Sequence, residues 1–96
     1  MNIGKVIGTV VATRKDEKLE GLRFHMVEFV DPEGKPTGTI TVAVDSVGAG
    51  EGEIVLTAAG SSARQTQMTK EKPVDAVIMA IVDQVEIGGA HKYIKK

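Results

Sequence analysis

The chain has 96 residues, of which 12 are basic and 13 acidic, so its net charge is −1 and its length predicts one domain with a modest core. The absence of cysteine excludes disulfides, cysteine metal sites and a thiol nucleophile. The near-zero net charge disfavours nucleic-acid binding, and no apolar run approaches the ~20 residues of a membrane span. Since no signal-peptide pattern opens the chain either, we expect a soluble cytoplasmic protein.

The first part of the chain alternates short apolar runs with turn residues, which is typical of a small all-β domain. Residues 4–13, GKVIGTVVAT, are rich in β-branched side chains and predict the first strand. A solvated connection, 14–21, leads to a second strand over 22–30. Its apolar positions change face at Val27, which indicates a bulge or burial on both sides. His25, one of two histidines, is predicted to point outward.

Residues 31–38, DPEGKPTG, contain two prolines and two glycines and predict a hairpin loop. The alternating run 39–45 predicts a strand with one face inward and the other outward. The inward positions are Ile40, Val42 and Val44, and the outward ones are Thr39, Thr41, Ala43 and Asp45. Residues 53–59, EIVLTAA, predict a further strand.

The segment between these two strands holds glycines at 48, 50 and 52, which raises the question of a phosphate-binding loop. A dinucleotide fingerprint needs a third glycine where Glu53 stands, and a P-loop needs a Gly-Lys-Ser/Thr triplet that the segment lacks. Glu51 and Glu53 would also repel a phosphate. The segment is therefore interpreted as a tight loop between two strands.

Two later segments leave alternatives open. Residues 61–66, SSARQT, predict one helical turn, and Ser62 followed by Gln65 fits a capping box. The run 73–87 matches a helical template, yet its apolar positions are β-branched, which favours a strand. As a strand it would be apolar on both faces, and a neighbouring subunit could cover the second face.

The sequence offers little support for a catalytic or metal site. Two histidines, His25 and His91, are too few for a metal site. A triad of Ser46, His25 and Asp45 can be assembled on paper, but it lacks a nucleophile-elbow motif. We expect no enzyme activity and no cofactor.

Three segments in order, AVDSVGAGEGEIVL, GSSARQ and PVDAVIMAIVDQV, resemble the vertex proteins of bacterial microcompartment shells, the EutN/CcmL family. The opening IGKVIGTVVATRK is also similar to the family's first strand, so the likeness spans 1–85. The resemblance implies an all-β fold, a small OB-like five-stranded barrel with one short helix that assembles as a cyclic pentamer. It implies one domain over 1–96 with 87–96 as a C-terminal tail, and it makes the run 73–87 a strand.

The resemblance also implies function and partners. Homopentamers would cap the five-fold vertices of a polyhedral shell in the bacterial cytoplasm, next to hexameric facet proteins, with no nucleic acid or membrane involved. An OB-type module that binds single-stranded nucleic acid is the alternative, and three aromatic residues without positive charge disfavour it.

Site residues follow from the same resemblance. Gly48, Ala49 and Gly50 would line the central pore, the alternative being a turn far from the axis. The subunit interface would include Ser61, Ser62 and Arg64. The doubly apolar last strand adds Ile78 and Val82 to it, and the pattern does not assign which face of this strand is the barrel interior. For the segment 61–64 the alternative is a solvent-exposed capped turn. Arg64 would bind carbonyls or a carboxylate of the neighbouring subunit.

Overall fold

The computed structural model describes residues 1–95, which form seven strands and two short 3-10 segments. The 3-10 segments are η1 (Glu17–Leu19) and η2 (Gly60–Arg64). The strands are β1 (Asn2–Val10), β2 (Phe24–Val30), β3 (Pro36–Asp45), β4 (Ile54–Ala59), β5 (Ala76–Ile81), β6 (Gln84–Ile87) and β7 (Ala90–Ile94).

The first five strands close into a barrel in the order β1-β2-β3-β5-β4. Only the β3–β5 pair in this barrel is parallel, and it is joined by two residue pairs, Val44 with Val77 and Asp45 with Ile78. The predicted OB-like five-stranded barrel is confirmed. The ambiguous run 73–87 contains a strand, as its β-branched composition favoured, because a barrel needs β5 to bridge β3 and β4.

The barrel interior is filled by small side chains from all five strands and from the loop after β3. The cluster comprises Val6, Val27, Ala43, Ala49, Val55, Ala76 and Ile78. A second cluster lies on the outer side of the barrel, beneath η1 and η2, and comprises Val44, Ala58, Ala63, Val74 and Val77, with Leu19, Leu22 and Phe24 packed against it. Val77 is therefore covered by this chain's own segments, so the first half of β5 needs no subunit neighbour as a cover.

The face assignment predicted for β3 is wrong. Ile40 and Val42 are exposed, whereas Ala43 and Asp45 are buried. The interior of a five-stranded barrel is narrow, and the small Ala43 fits there beside Val27. Of the three residues predicted to face inward, Val44 alone is buried, and it belongs to the outer cluster. The apolar residues of β3 thus lie on the outside of the barrel.

Register shifts in three strand pairs of the barrel bend its strands; one lies between β4 and β5 at Leu56 and Thr57. The register of β1 against β2 shifts between Val6 and Gly8, and that of β2 against β3 shifts between Glu28 and Val30. The pairing of β2 with β3 is regular from Phe24 to Glu28, so β2 itself has no bulge at the predicted change of face at Val27. Instead β2 has apolar contacts on both sides there, since Val27 lies in the interior cluster and Phe24 packs against the outer one. Bulges increase the local twist and help a sheet to close.

Most of the predicted C-terminal tail, 87–96, belongs to a hairpin of the last two strands, and residue 96 lies outside the described residues. β6 pairs with β7 in antiparallel register through a turn at Gly88 and Gly89. Both glycines have positive φ, 60° and 83°, as a two-residue hairpin turn of the primed type requires. Within residues 1–95, no helix has the length and apolar character needed to cross a membrane.

Candidate functional site

The loop between β3 and β4, residues 46–53, is anchored at its start by Asp45. One carboxylate oxygen accepts hydrogen bonds from the backbone N–H groups of Val47 (3.0 Å) and Gly48 (2.9 Å). The other oxygen pairs with His25 Nε2 at 2.9 Å. Burial disfavours the charged carboxylate, but the hydrogen bonds from Val47, Ala49, His25 and Gly48 outweigh it and hold the pKa of Asp45 below its usual value. The start of the loop is therefore held by an ionised, almost fully buried carboxylate.

The end of the loop is anchored by Glu53. Its Oε1 accepts a hydrogen bond from Gly50 N at 2.6 Å, and its Oε2 accepts one from Lys95 Nζ at 2.5 Å. The ion pair with Lys95, followed by the bond from Gly50, lowers the pKa of Glu53. Backbone hydrogen bonds between Val6 and the loop residues Gly52 and Glu53 join this end to β1. The C-terminal hairpin and the loop are thus connected through one side chain.

Three loop residues predicted to line a pore, Gly48, Ala49 and Gly50, have different environments. Gly48 and Gly50 are exposed, but Ala49 is buried in the interior cluster. The Ala49 side chain therefore faces the barrel core and cannot line a pore, which corrects that part of the prediction. Gly48 has a φ of +77°, whereas Gly50 lies outside the left-handed region. Where the loop lies relative to a five-fold axis stays a prediction.

The outward orientation predicted for His25 is wrong, since only 7% of the residue is exposed. Its partner Asp45 is 20 positions away and becomes its neighbour only through the register of β2 against β3, which places His25 opposite Ala43. Ser46 does not complete a triad, because its hydroxyl donates to the Ile78 carbonyl at 2.6 Å. Among residues 1–95, no group of three or more His, Cys, Asp or Glu side chains is placed to hold a metal.

The predicted turn at Ser61, Ser62 and Arg64 is the 3-10 segment η2, but its cap differs from the prediction. The N-cap is Ala59, without a side-chain hydrogen bond, so the capping box from Ser62 does not form. Arg64 Nη1 donates to the Val74 carbonyl of the same chain at 3.1 Å. The guanidinium of Arg64 therefore binds a carbonyl of its own chain, whereas the prediction placed its partner in a neighbouring subunit. Ser61 and Ser62 are exposed, and an interface role for this segment stays a prediction.

The structure places the two other predicted interface residues, Ile78 and Val82, in different environments. Ile78 is fully buried in the interior cluster, so it has no surface to offer a neighbouring subunit, and its prediction as an interface residue is wrong. Val82 follows β5, is half-buried, and donates its backbone N–H to the Ile54 carbonyl at 2.8 Å. Val82 remains available for an interface.

Comparison with known proteins gives a consistent result over the whole chain. Residues 1–83 match the family described as "Ethanolamine utilisation protein EutN/carboxysome". The match ends immediately before the C-terminal hairpin, which begins at Gln84. The carboxysome shell vertex protein CcmL of Gloeobacter violaceus is 42% identical over 96 residues, covering 100% of this chain and 96% of that protein. The bacterial microcompartment shell vertex protein EutN of Escherichia coli K12 is 44% identical over 89 residues, covering 93% and 94%.

Solved structures agree with these sequence relatives. The structure of Gloeobacter violaceus CcmL superimposes with a TM-score of 0.94 at 41% identity and covers 99% of this chain and 98% of that one. The Rhodospirillum rubrum protein GrpN, described as a pentameric microcompartment shell protein, gives a TM-score of 0.83 at 47% identity and covers 91% and 99%. The fold and the sequence therefore point to the same group of proteins.

Proposed function

Since the chain belongs to the EutN/CcmL family, we propose that five copies form a ring that closes the five-fold vertices of a bacterial microcompartment shell. The observation that carries the proposal is the near-complete coverage of this chain by proteins named shell vertex proteins, together with the pentameric state stated for GrpN. The ring would lie in the shell, in the bacterial cytoplasm, and contact hexameric facet proteins.

The physical role of such a ring is to supply curvature. A lattice of hexagons is flat, and a closed polyhedron needs pentagons at its corners. A ring of five with head-to-tail contacts has closed symmetry and so stops growing at five. The polar groups of the loop support this structural role, because Asp45 and Glu53 are engaged with backbone N–H groups, His25 and Lys95.

The glycine loop and the segment after β4 are part of the proposal. Gly48 and Gly50 would lie near the five-fold axis, where five copies of a loop leave little room for side chains. Ser61, Ser62, Arg64 and Val82 would contribute to subunit contacts. The alternative OB-type nucleic-acid module needs stacking aromatic side chains in a basic groove. Phe24 instead packs against the outer cluster, and the net charge is −1.

The proposal is tested by native mass spectrometry of the purified chain. Five chains of 10.2 kDa predict an assembly of about 51 kDa. In cells that lack this protein, hexagonal facets would form without closed corners, so the shells should be elongated or open. A monomer or stable dimer in solution, or closed shells of normal shape in the deletion strain, would contradict the proposed function.

A further inference from the structure

A cavity of about 350 Å³ lies at the end of the barrel where β1 ends and β2 begins. It is lined by residues 9–12, Lys15 and residues 22–25, and we refer to it as the mouth cavity. Its volume falls in the range of small-molecule sites, which in barrels are found at the mouth. Its lining includes no residue of the loop 46–53, so the mouth cavity is separate from the proposed pore.

His25 forms the inner wall of the mouth cavity. It lies on the interior side of β2, because Val27, two positions later on the same side of the strand, belongs to the interior cluster. Only 9% of the His25 side chain is exposed, and its Nε2 pairs with Asp45. Nδ1 is buried as well, and no group among residues 1–95 lies within hydrogen-bond distance of it. Since buried polar atoms are almost always hydrogen-bonded, the free nitrogen points to a ligand in the cavity.

Asp45 determines which nitrogen of His25 is available to such a ligand. The ionised carboxylate can only accept hydrogen bonds, so Nε2 carries a proton and donates it to Asp45. Nδ1 then has a lone pair in the neutral ring and an N–H group in the imidazolium. An oxyanion in the mouth cavity therefore finds a donor at Nδ1 only when His25 is charged.

Two cationic side chains, Lys15 and Arg23, line the same cavity, and its lining contains no Asp or Glu. In the part of the chain that the structure describes, neither of them belongs to an ion pair. Thr9 lies opposite His25 in the β1–β2 register and adds a hydroxyl group. Because the fork of a guanidinium matches a carboxylate or phosphate, these groups favour a ligand with an oxyanion head.

The remaining wall of the mouth cavity is mostly apolar and is formed by Val10, Val11, Leu22 and Phe24. Leu22 and Phe24 are supported from behind by the outer cluster, against which they pack. Liquid water occupies about 30 Å³ per molecule, so the mouth cavity has room for much more than a bare phosphate ion. A ligand that fills it therefore has an apolar body beside its anionic head.

We propose that the mouth cavity binds a small organic anion, with its carboxylate or phosphate head on the two cationic side chains and Nδ1 of His25, and its body against the apolar wall. The charged groups around His25 are Lys15 after β1, Arg23 before β2 and Asp45 on β3, while Glu53 of the loop is paired with Lys95. Histidine is the side chain that ordinarily changes charge near neutral pH. Since only the imidazolium donates from Nδ1, the affinity for the anion falls as the pH rises.

The two histidines of the chain serve as probes in the test. Benzoate is titrated into the purified full chain in its native oligomeric state, and ¹⁵N spectra of the imidazole rings are recorded. We expect a saturable shift of His25 Nδ1 towards the protonated value at millimolar benzoate, without a shift of His91, which is exposed on β7. Benzamide, which has the same body and a neutral head, should leave both rings unchanged. Carboxyl groups stay ionised above about pH 5, so a decline in affinity between about pH 5.5 and about pH 8 reports on the protein.

Arg23→Gln should weaken benzoate binding by about threefold to tenfold, because one charge-assisted hydrogen bond is lost. Arg14→Gln is the matched control, since it removes the same charge one position before Lys15 but outside the lining of the cavity. It should leave the affinity unchanged. Arg14 and Arg23 are both exposed, so the two variants should fold like the wild type.

Three results would overturn the proposal. One is the absence of a saturable His25 shift with both benzoate and phenyl phosphate at millimolar concentration; a shift with either anion supports it. Another is equal weakening by Arg14→Gln and Arg23→Gln, which would reduce the effect to general surface charge. The third is an affinity that does not fall with rising pH. Binding by protein that is not pentameric would contradict only the proposed function, whereas a pentamer that binds neither anion refutes only this inference.

Discussion

Gly4 is the glycine at which an added Cβ atom would meet the closest neighbouring atom. It lies on β1 between Phe29 of β2 and Val55 of β4, and a Cβ atom there would point into the barrel interior. That atom would overlap Val27 Cγ1 and lie 3.2 Å from the Glu28 carbonyl oxygen. Val27 is fully buried in the interior cluster, so it has no free space to move into. Gly4→Ala therefore overpacks the core.

The size of the effect follows from two opposing contributions. Overpacking a core costs about 1–3 kcal/mol, and the lower entropy of the unfolded alanine chain returns about 0.4–1 kcal/mol. The free energy of unfolding should fall by about 1–2 kcal/mol, which corresponds to a drop in Tm of about 5–15 °C for a domain of this size. Thermal unfolding followed by circular dichroism at one fixed protein concentration measures it, because assembly makes Tm depend on concentration.

Gly8→Ala is the matched control on the same strand, since no atom lies within 4 Å of a Cβ placed there. It should leave Tm unchanged or slightly raised. Val27→Ala should reduce the free energy of unfolding less in Gly4→Ala than in wild type, because the removed methyl groups make room for the new one. The double-mutant cycle should show a coupling of about 1–2 kcal/mol. Equal melting of Gly4→Ala and Gly8→Ala would refute the steric reasoning.

Two further predictions concern the loop after β3. The pKa of Asp45 is lowered below its ordinary value of 3.8 in the folded chain, so its contribution to stability is present above pH 3.8 and is lost as the pH falls through the folded pKa. Urea unfolding should therefore show Asp45→Asn less stable than wild type by about 1–2 kcal/mol at neutral pH. The difference in stability between the two proteins should narrow below pH 3.8. A difference that widens on acidification would contradict a lowered pKa of Asp45. Gly48→Ala should lower the free energy of unfolding by about 1–2 kcal/mol, because φ at this position is +77°. Gly50→Ala should change it little, since the added atom makes an ordinary 3.5 Å contact with Glu53. Equal losses of stability in the two variants would show that φ does not decide the effect.

Local sequence patterns determined the class of fold and several elements. β-branched residues and regular turn residues predicted the all-β character and a strand over 53–59, found as Ile54–Ala59. The loop predicted over 31–38 is shorter, because β3 already begins at Pro36. The spacing of glycines and the acidic residues Glu51 and Glu53 identified the segment after Asp45 as a strand connection rather than a phosphate-binding loop. These features depend on backbone preferences and on close neighbours in sequence, so they are visible without tertiary contacts. The five-stranded barrel was implied by the family resemblance alone, and its strand order is seen only in the structure.

Only the tertiary structure decided which side of each strand faces inward. Alternation separates two faces, but both faces of β3 and β5 carry apolar residues, and the pattern cannot say which of them fits a narrow barrel. The side chains of Ala43 and Ile78 lie in the barrel interior, whereas that of Val42 is exposed on the outside. The pairing of His25 with Asp45 likewise arises from strand register, which no local pattern encodes. Faces that stay apolar after the barrel has closed are then available to a neighbouring subunit, because burial within one chain is limited by the volume of its own core.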